Sequence, residues 1–595
     1  MTRRLAAALA LVVVALTVAG CSGVPSSSAP QVVRTLGLGE QPPASVPAPP
    51  AGAAPRDIVD LFIKAMASSP DRHDAARAYL DTDAAQSWSD TSVTVVRGAP
   101  IIGLEDPTTH TVVVNYQQVG SLSATGVYTP VLAGDGANPV APATYALAQN
   151  AQGQWRIHTP VPPGLFITDT DFAHLYSPRP VYFFDAAGDR LVPDLRYSAA
   201  TEPALESFLL AQLLGQPRPE LNTGALLKVD VATPGGQQRA TVTPGSPTVV
   251  DIPGAAALNG AARRRLAAQL AYTLKSNAFL STLVLKDGND TVAIPDVDGP
   301  FDAGDFPDVA PVPEGGPVSA TFVRGGAVVD ATGKPVGGPL GTGQYALDDA
   351  VFDGDGGRTL VAGTTGGTGD AATRSLLLGS TNGLAPTGVQ GPLSAPAWAP
   401  IGTSADTDEV WVAAGAQLWR VEPGRGASVV AASGRNGPLA GTITALAFSP
   451  EGTRLAMVVR TVDGTASQVW IGSVVRSGPD VRLDQVEPIT PAGIAVDDVG
   501  WRSDTQLTAV GTAPGYPAGA IIDVAVDGSR LTLSVPDGLP DRPRAIAVSP
   551  RSPQQWVTVG TGSGATVWTR PGTSGSWGAP PDDASQQGYA PSFAT

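Results

Sequence analysis

A single cysteine, Cys21, stands in 595 residues. That excludes a disulfide framework, a paired-cysteine redox site and a cysteine-rich zinc site. Four histidines, His73, His110, His158 and His174, leave little material for a histidine-based metal centre. Basic residues are outnumbered: 37 Lys and Arg stand against 53 Asp and Glu, a formal charge of -16. A nucleic-acid binder needs a basic footprint, so nucleic acid is excluded as a partner. No uninterrupted apolar run reaches the ~20 residues of a bilayer-spanning helix. What is present is apolar material, 43% of the chain, punctuated by 69 glycines and 56 prolines. At about 150 residues per domain, this length suggests three or four turn-rich domains with real cores.

The apolar material begins with an address. Arg3 and Arg4 precede an apolar run over residues 5–19, broken only by Thr17. A basic start, a short apolar stretch and small residues at its end make a secretory signal peptide. The run closes Val18-Ala19-Gly20-Cys21, which resembles the bacterial lipobox, with Cys21 as the lipid-bearing new N-terminus. The plainer alternative is an ordinary signal peptide with an incidental thiol. Cleavage before Cys21 removes two arginines and takes the charge from -16 to -18. The anchor is then covalent lipid and not a spanning helix. Residues 21–54 are rich in Ser, Pro, Ala and Gly and read as a disordered tether.

Folded modules follow. Ile58, Leu61, Phe62, Ala65 and Met66 repeat at helical spacing behind Pro55, which suits a first turn. Short helices are predicted at 74–80 and 84–88, then strands at 92–96, 111–116, 126–132, 143–148 and 154–157. Helices before an antiparallel sheet define an α+β domain over 55–163. Val161-Pro162-Pro163-Gly164 ends it. A second α+β module spans 178–300. Its strands are predicted at 181–185, 227–231, 238–243 and 249–252. One helix carries Leu205, Phe208, Leu209 and Leu213 and stops at Gly215 and Pro217; another carries Ala262, Leu266, Leu270 and Leu274. A hairpin across Asp287-Gly288-Asn289 closes the module.

From residue 312 to 570 the chain repeats. Leu347-Asp348-Asp349-Ala350-Val351-Phe352, Leu393-Ser394-Ala395-Pro396-Ala397-Trp398, Ile443-Thr444-Ala445-Leu446-Ala447-Phe448, Ala495-Val496-Asp497-Asp498-Val499-Gly500-Trp501 and Pro543-Arg544-Ala545-Ile546-Ala547-Val548 align. Their last residues are 46, 50, 53 and 47 apart, and an apolar strand follows each. Repeats of about 40–50 residues built from short strands signal propeller blades, because each blade buries its faces against its neighbours. The span accommodates five blades, with six as the alternative, and 318–322 with 566–568 are candidates to close the ring. Residues 571–595 are again rich in Gly, Pro, Ser and Gln and read as a flexible tail.

Candidate chemical motifs fail on spacing. Gly325-Gly326 with Gly333-Lys334 lacks phosphate-loop spacing and the hydroxyl after the lysine. Gly560-Thr561-Gly562-Ser563-Gly564 lies between strands, where a dinucleotide fingerprint needs a following helix. Asp353-Gly354-Asp355 lacks the bidentate acid of a calcium loop, and Asp287, Asn289 and Asp290 fail likewise. No nucleophile elbow supplies a partner for His158 or His174. Arg263-Arg264-Arg265 reads as a solvated helix face or a contact for an acidic partner. Trp398, Trp411, Trp419, Trp470, Trp501 and Trp556 are blade packing, or rim anchors for a partner. No catalytic residue, cofactor or metal ligand is assigned; Cys21 alone is a modification site, and the chain is read as a non-enzyme.

The strand at 180–185, Leu213-Leu214-Gly215-Gln216-Pro217 and Tyr272-Thr273-Leu274 resemble the GerMN domain of spore-germination and sporulation proteins. With the lipobox, the tether and the repeat region, nearly the full length resembles the LpqB family of actinobacterial lipoproteins. The resemblance implies a protein lipid-anchored on the extracytoplasmic face of the cell membrane. It further implies contact with the extracellular domain of the Mtr-type sensor histidine kinase, and through it an effect on envelope homeostasis and division. The family brings no catalytic residues with it. The alternative is an envelope protein that binds or hydrolyses cell-wall polymer, since fold does not settle function. A structural scaffold in transport or wall assembly is a third reading.

Overall fold

Pro55 opens the first helix, Pro55–Met66, with Asp57 in its first turn and Lys64 in its last, both complementing the helix dipole. Ile58, Phe62, Ala65 and Met66 are buried at the expected spacing, joined by Val59 and Ile63, while Leu61 is half-buried. Phe62 packs its ring 5.4 Å from Trp88 and 5.9 Å from Tyr145. The chain is described here from a computed structural model. It covers residues 48–594 except 68–72, 133–139, 219–220, 222–225, 228–239, 278–281, 313–317, 319, 354–359, 367–372, 401–407, 435–436, 479, 573–574 and 580–586. The leader, Cys21 and the tether up to residue 47 lie outside the described residues.

The helices cover a sheet centred on the long strand Thr111–Leu122. Val140–Gln149 and Tyr128–Pro130 pair along it, as do Val93–Val96 and Ile101–Asp106, the last a strand the sequence reading missed. The module also runs past residue 163. Gly164, at φ +87°, turns the chain back, and Leu165–Thr168 joins the sheet in parallel with Val93–Val96. A further helix, Asp169–Leu175, is capped by the Thr168 hydroxyl accepting from Asp171 N. The Pro-Pro-Gly sequence is therefore a turn inside the module and not its end.

The second module is α+β as expected. Ser177–Asp185 pairs with Leu191–Ser198, and helices Ala204–Leu214 and Gly260–Asn277 pack on it. Leu283–Asp287 pairs in parallel with Thr248–Asp251 and turns into Asp290–Thr291, the predicted hairpin. Leu191–Ser198 escaped the sequence reading. Its Pro193, Asp194, Arg196 and Ser198 look like a loop, yet all eight residues are buried.

The repeat region is a six-bladed propeller. Blades 2 to 5 are four-stranded, with inner strands Leu347–Asp353, Ala397–Ala399, Thr442–Phe448 and Ala495–Trp501. Blade 6 starts with Pro543–Ala547 and gains its outer edge from a bridge between Thr569 and Gly578. Blade 1 corrects both the flexible tail and the proposed closure. Its inner strand is Tyr589–Phe593, from the chain's end, paired antiparallel with Ala320–Arg324, which pairs in turn with Ala327–Asp330. The chain thus fastens the two ends of the repeat region into one sheet, in which Ala320–Arg324 is paired on both sides. Phe593 falls 45 residues after Val548, so the repeat's own period runs into the segment read as tail. Ala590-Pro591-Ser592-Phe593 matches Ala395-Pro396-Ala397-Trp398. Its Gly- and Gln-rich approach hid it.

Candidate functional site: the propeller channel and the junction at one end of it

The six inner strands surround a channel that encloses about 1370 Å³ of non-protein space, part of it open to solvent. Side chains at strand ends lock neighbouring blades around it. Trp398 Nε1 donates to Val351 O of the preceding blade at 3.1 Å, and Trp501 Nε1 to Ala447 O at 3.0 Å. Ser592 Oγ donates to Ala350 O at 2.8 Å, tying blade 1 to blade 2. Trp411 and Trp556 are also buried, and Trp419 and Trp470 half-buried, so these indoles are chiefly packing.

Two carboxyls stand on these inner strands, half-buried Asp498, which bridges blades 5 and 6, and buried Asp349, which stays within blade 2. Asp498 accepts from Val499 N at 2.9 Å and, across the blade boundary, from Ile546 N at 2.8 Å. Burial pushes its carboxyl up to about 7 despite these donors. Asp349 accepts from Thr364 N and Oγ1, and burial raises it to about 6. An unfolded carboxyl titrates near ~4, so the folded chain holds more protons between about pH 4 and 7. These groups contribute stability that is present at low pH and lost as pH rises through the folded values. The Asp498→Asn variant should flatten that decline in thermal melts between about pH 5 and 7. An unchanged slope would contradict the assignment.

One end of the channel is covered. The turn after Ser177–Asp185 brings Arg190 to it, and Arg190 Nη1 donates to Pro400 O (3.1 Å) and Pro450 O (3.2 Å). Both carbonyls follow inner strands, of blades 3 and 4. Arg454 sits beside them, 2% exposed. It pairs with Glu451 at 2.6 Å, donates to Asp504 O at 2.7 Å and to Pro193 O at 3.5 Å, and lies 5.1 Å over the Trp501 ring. Tyr182 Oη donates to Asp504 Oδ2 at 3.1 Å. Burial raises the Asp504 carboxyl, and the Glu451 carboxylate adds to that.

The first module enters the same junction. Tyr197 N donates to Gly126 O at 2.8 Å, while Tyr197 Oη bonds Ser529 Oγ on blade 5. Arg530 donates to Ala173 O and Tyr176 O at 3.2 and 2.6 Å. Asp194 accepts from Arg196 Nε and Nη2 and from Arg218 N; Arg196 reaches Thr125 O and Arg218 reaches Tyr128 O. Arg218 Nη1 also lies 3.9 Å from Asp527, whose carboxyl burial raises although that guanidinium opposes the shift. Three modules therefore share one buried polar network, and buried charges persist only when paired. These hydrogen bonds between the propeller and the other modules all fall at this end, on turns of blades 3 to 5. Sequence reasoning missed this site. Its one visible trace is the turn Ser449-Pro450-Glu451-Gly452-Thr453-Arg454, which stands in the best copy of the repeat.

The other sequence candidates fall elsewhere. Arg263 donates to Ala293 O, Arg264 pairs with Asp308 at 2.9 Å and lies over Phe306, and Arg265 lies over Phe184. Each has an intramolecular partner and is half-buried. His73, His110 and His158 meet Asp90, Glu105 and Asp81, all within the first module. His174 is exposed. Asp287 accepts from Gly254 N and Ala256 N as a turn residue. Asp330 organises the turn that holds Gly333 and Lys334. Gly562–Gly564 is a short turn between strands, as read. Beyond Asp353, the loop Gly354-Asp355 lies outside the described residues, as does Cys21.

These features define a multidomain propeller protein whose accessory modules are locked to one end of its ring. Residues 48–173 match the family described as "Lipoprotein LpqB, N-terminal domain", and residues 321–594 that described as "Lipoprotein LpqB beta-propeller domain". Lipoprotein LpqB of Mycolicibacterium smegmatis is 30% identical over 551 residues, covering 87% of this chain and 88% of its own. Its counterpart in Rhodococcus opacus is 29% identical over 577 residues, covering 91% and 89%. The chain belongs to the LpqB lipoprotein family. Among solved structures, a putative TolB from Agrobacterium tumefaciens is similar at TM-score 0.23 and 16% identity, covering 32% of this chain and 62% of that one. The propeller domain of the Trilobed protease from Pyrococcus furiosus gives 0.23 and 10%, covering 38% and 85%. No helix among the described residues is long and apolar enough to cross a membrane.

Proposed function

We propose that this protein is a lipid-anchored accessory protein on the extracytoplasmic face of the cell membrane. It modulates a two-component sensor histidine kinase of the Mtr type, and through it envelope homeostasis and division, by binding the sensor's extracellular domain. The observation that carries this reading is the one-sided junction. It couples the membrane-proximal modules to one end of the propeller and leaves the opposite rim available as a platform. That rim bears Val462 and Val535, exposed at 85% and 67%, on turns of blades 4 and 5. Exposed apolar side chains on a rigid ring suit a partner that buries them. Binding that favours one conformation of the sensor would shift its output by that differential affinity. Cys21 supplies the anchor in this reading.

Calorimetric titration of residues 22–595 with the sensor's extracellular domain tests it. Saturable binding with a dissociation constant of about 1–10 μM or tighter is expected. Absence of heat up to several hundred micromolar would overturn the kinase reading. Peptidoglycan fragments are then the titrant for the wall-polymer alternative.

A further inference from the structure

Among the described residues, six large apolar side chains are exposed, and three of them stand together on the first module. Ile101 is 71% exposed, Leu104 84% and Val113 38%. Ile101 and Leu104 lie on Ile101–Asp106, which among the described residues pairs with Thr111–Leu122 alone and so stands at an edge of the sheet. The register sets Ile101 opposite Asn115, two residues from Val113, which places Ile101 and Val113 on the same outer face. A register shift between Ile102 and Glu105 leaves Leu104 projecting. Edge strands are usually blunted with charge or proline, and here Pro100, Glu105, Asp106 and Pro107 stand at the two ends while isoleucine and leucine are exposed between them.

The surroundings point to what covers it. The chain enters the described part at Ala48, and the first helix begins seven residues later, at Pro55. Arg56, in that helix's first turn, donates to Ile102 O of the edge strand at 3.3 Å. The start of the first helix and the apolar strand are therefore neighbours. Cys21 lies 27 residues before Ala48. Twenty-seven residues span at most ~95 Å even if fully extended, so lipid on Cys21 keeps the bilayer within reach of this face. Exposed Arg56 and Arg97 flank the patch with positive charge. Glu105 and Asp106 at its far end are occupied, Glu105 by His110 Nδ1 at 2.8 Å and Asp106 by Thr108 N at 2.8 Å.

We propose that the face formed by Ile101, Leu104 and Val113 docks on the lipid bilayer to which the chain is tethered. The apolar side chains enter the interfacial layer, and Arg56 and Arg97 meet lipid phosphates. Three side chains are too few to hold a protein on a membrane by themselves. Tethering makes the contact intramolecular, at an effective concentration of about a millimolar, and a weak patch then suffices. The anchor thereby holds the first module, and the modules joined to it, in a defined orientation. The proposal rests on lipidation of Cys21, so its test reads the two separately.

In the lipidated chain the Cys21 sulfur is blocked, and a Leu104→Cys variant carries one free thiol. A bimane label there is read in vesicles of phosphatidylglycerol and phosphatidylethanolamine containing nitroxide-bearing lipid. A label at Val462→Cys, on the propeller, serves as reference. A blue shift and about twofold or greater excess quenching at position 104 are expected. Quenching no greater than at 462 would overturn the docking, as would a blue shift without lipid quenching, which marks a protein contact. Intact mass reports the acyl groups independently. Should they be missing, Cys21→Ser chains carrying the 104 or the 462 label are tethered to chelating lipid through an N-terminal histidine tag, and the same comparison decides.

Discussion

The Arg454→Ala variant is expected to lose about 3–5 kcal/mol from the unfolding transition of the propeller, the range found when one partner of a buried ion pair is removed. Arg454 is 2% exposed and Glu451 3%, so truncating the arginine strands a carboxylate that water cannot reach. It also removes the donor to Asp504 O and Pro193 O, and the cation over Trp501. The contacts with Asp504 and Trp501 lie within the propeller, between blades 4 and 5; the one with Pro193 reaches the second module. The variant should therefore melt earlier and also yield earlier to protease near 193–198. Chemical denaturation followed by tryptophan fluorescence, with timed proteolysis, measures both. A loss below about 1 kcal/mol would mean the charge network is ornamental to the fold.

The second large effect concerns the chain's end. Removing residues 587–595 deletes the inner strand of blade 1 and with it Phe593, which packs with Ala320, Phe322 and Trp556. Truncating one buried phenylalanine to alanine costs about 3–5 kcal/mol, and the deletion also forfeits the pairing with Ala320–Arg324. It leaves Ala350 O without the Ser592 hydroxyl. Blade 1 then keeps only Ala320–Arg324 and Ala327–Asp330, and the unpaired edge of Ala320–Arg324 invites aggregation. A loss of at least about 4 kcal/mol, or insoluble protein, is expected, with Phe593→Ala a soluble intermediate near about 3 kcal/mol. Unfolding unchanged within about 1 kcal/mol would restore the flexible-tail reading.

These two sites also mark where the sequence stopped being legible. Periodicity exposed the first helix through Ile58, Phe62 and Met66, and four of the five aligned repeats name an inner strand to within about two residues. Those patterns are legible because burial is local and repeats every 2 or 3.6 residues. Leu191–Ser198 failed because its polar residues are buried by other modules. Asp194 and Arg196 satisfy each other, and Pro193 lends a carbonyl to Arg454, 261 residues away. Its lack of an N–H suits a strand edge. Tyr589–Phe593 failed because composition outweighed period; Phe593 stands at the repeat's own spacing. The junction is a tertiary property of residues from three modules, and the only local trace of it is one turn in blade 4.

A partner met on the propeller rim that the junction leaves uncovered is the central claim. The direct measurement compares calorimetric titrations of the sensor's extracellular domain into the unaltered chain and into its Val462→Glu/Val535→Glu variant. Both positions are surface turns, so the fold should survive, and matching thermal melts check that. A carboxylate at a buried contact costs affinity steeply, and a weakening of about tenfold or more is expected. Equal affinity in the two titrations would place the contact elsewhere on the molecule and contradict the platform.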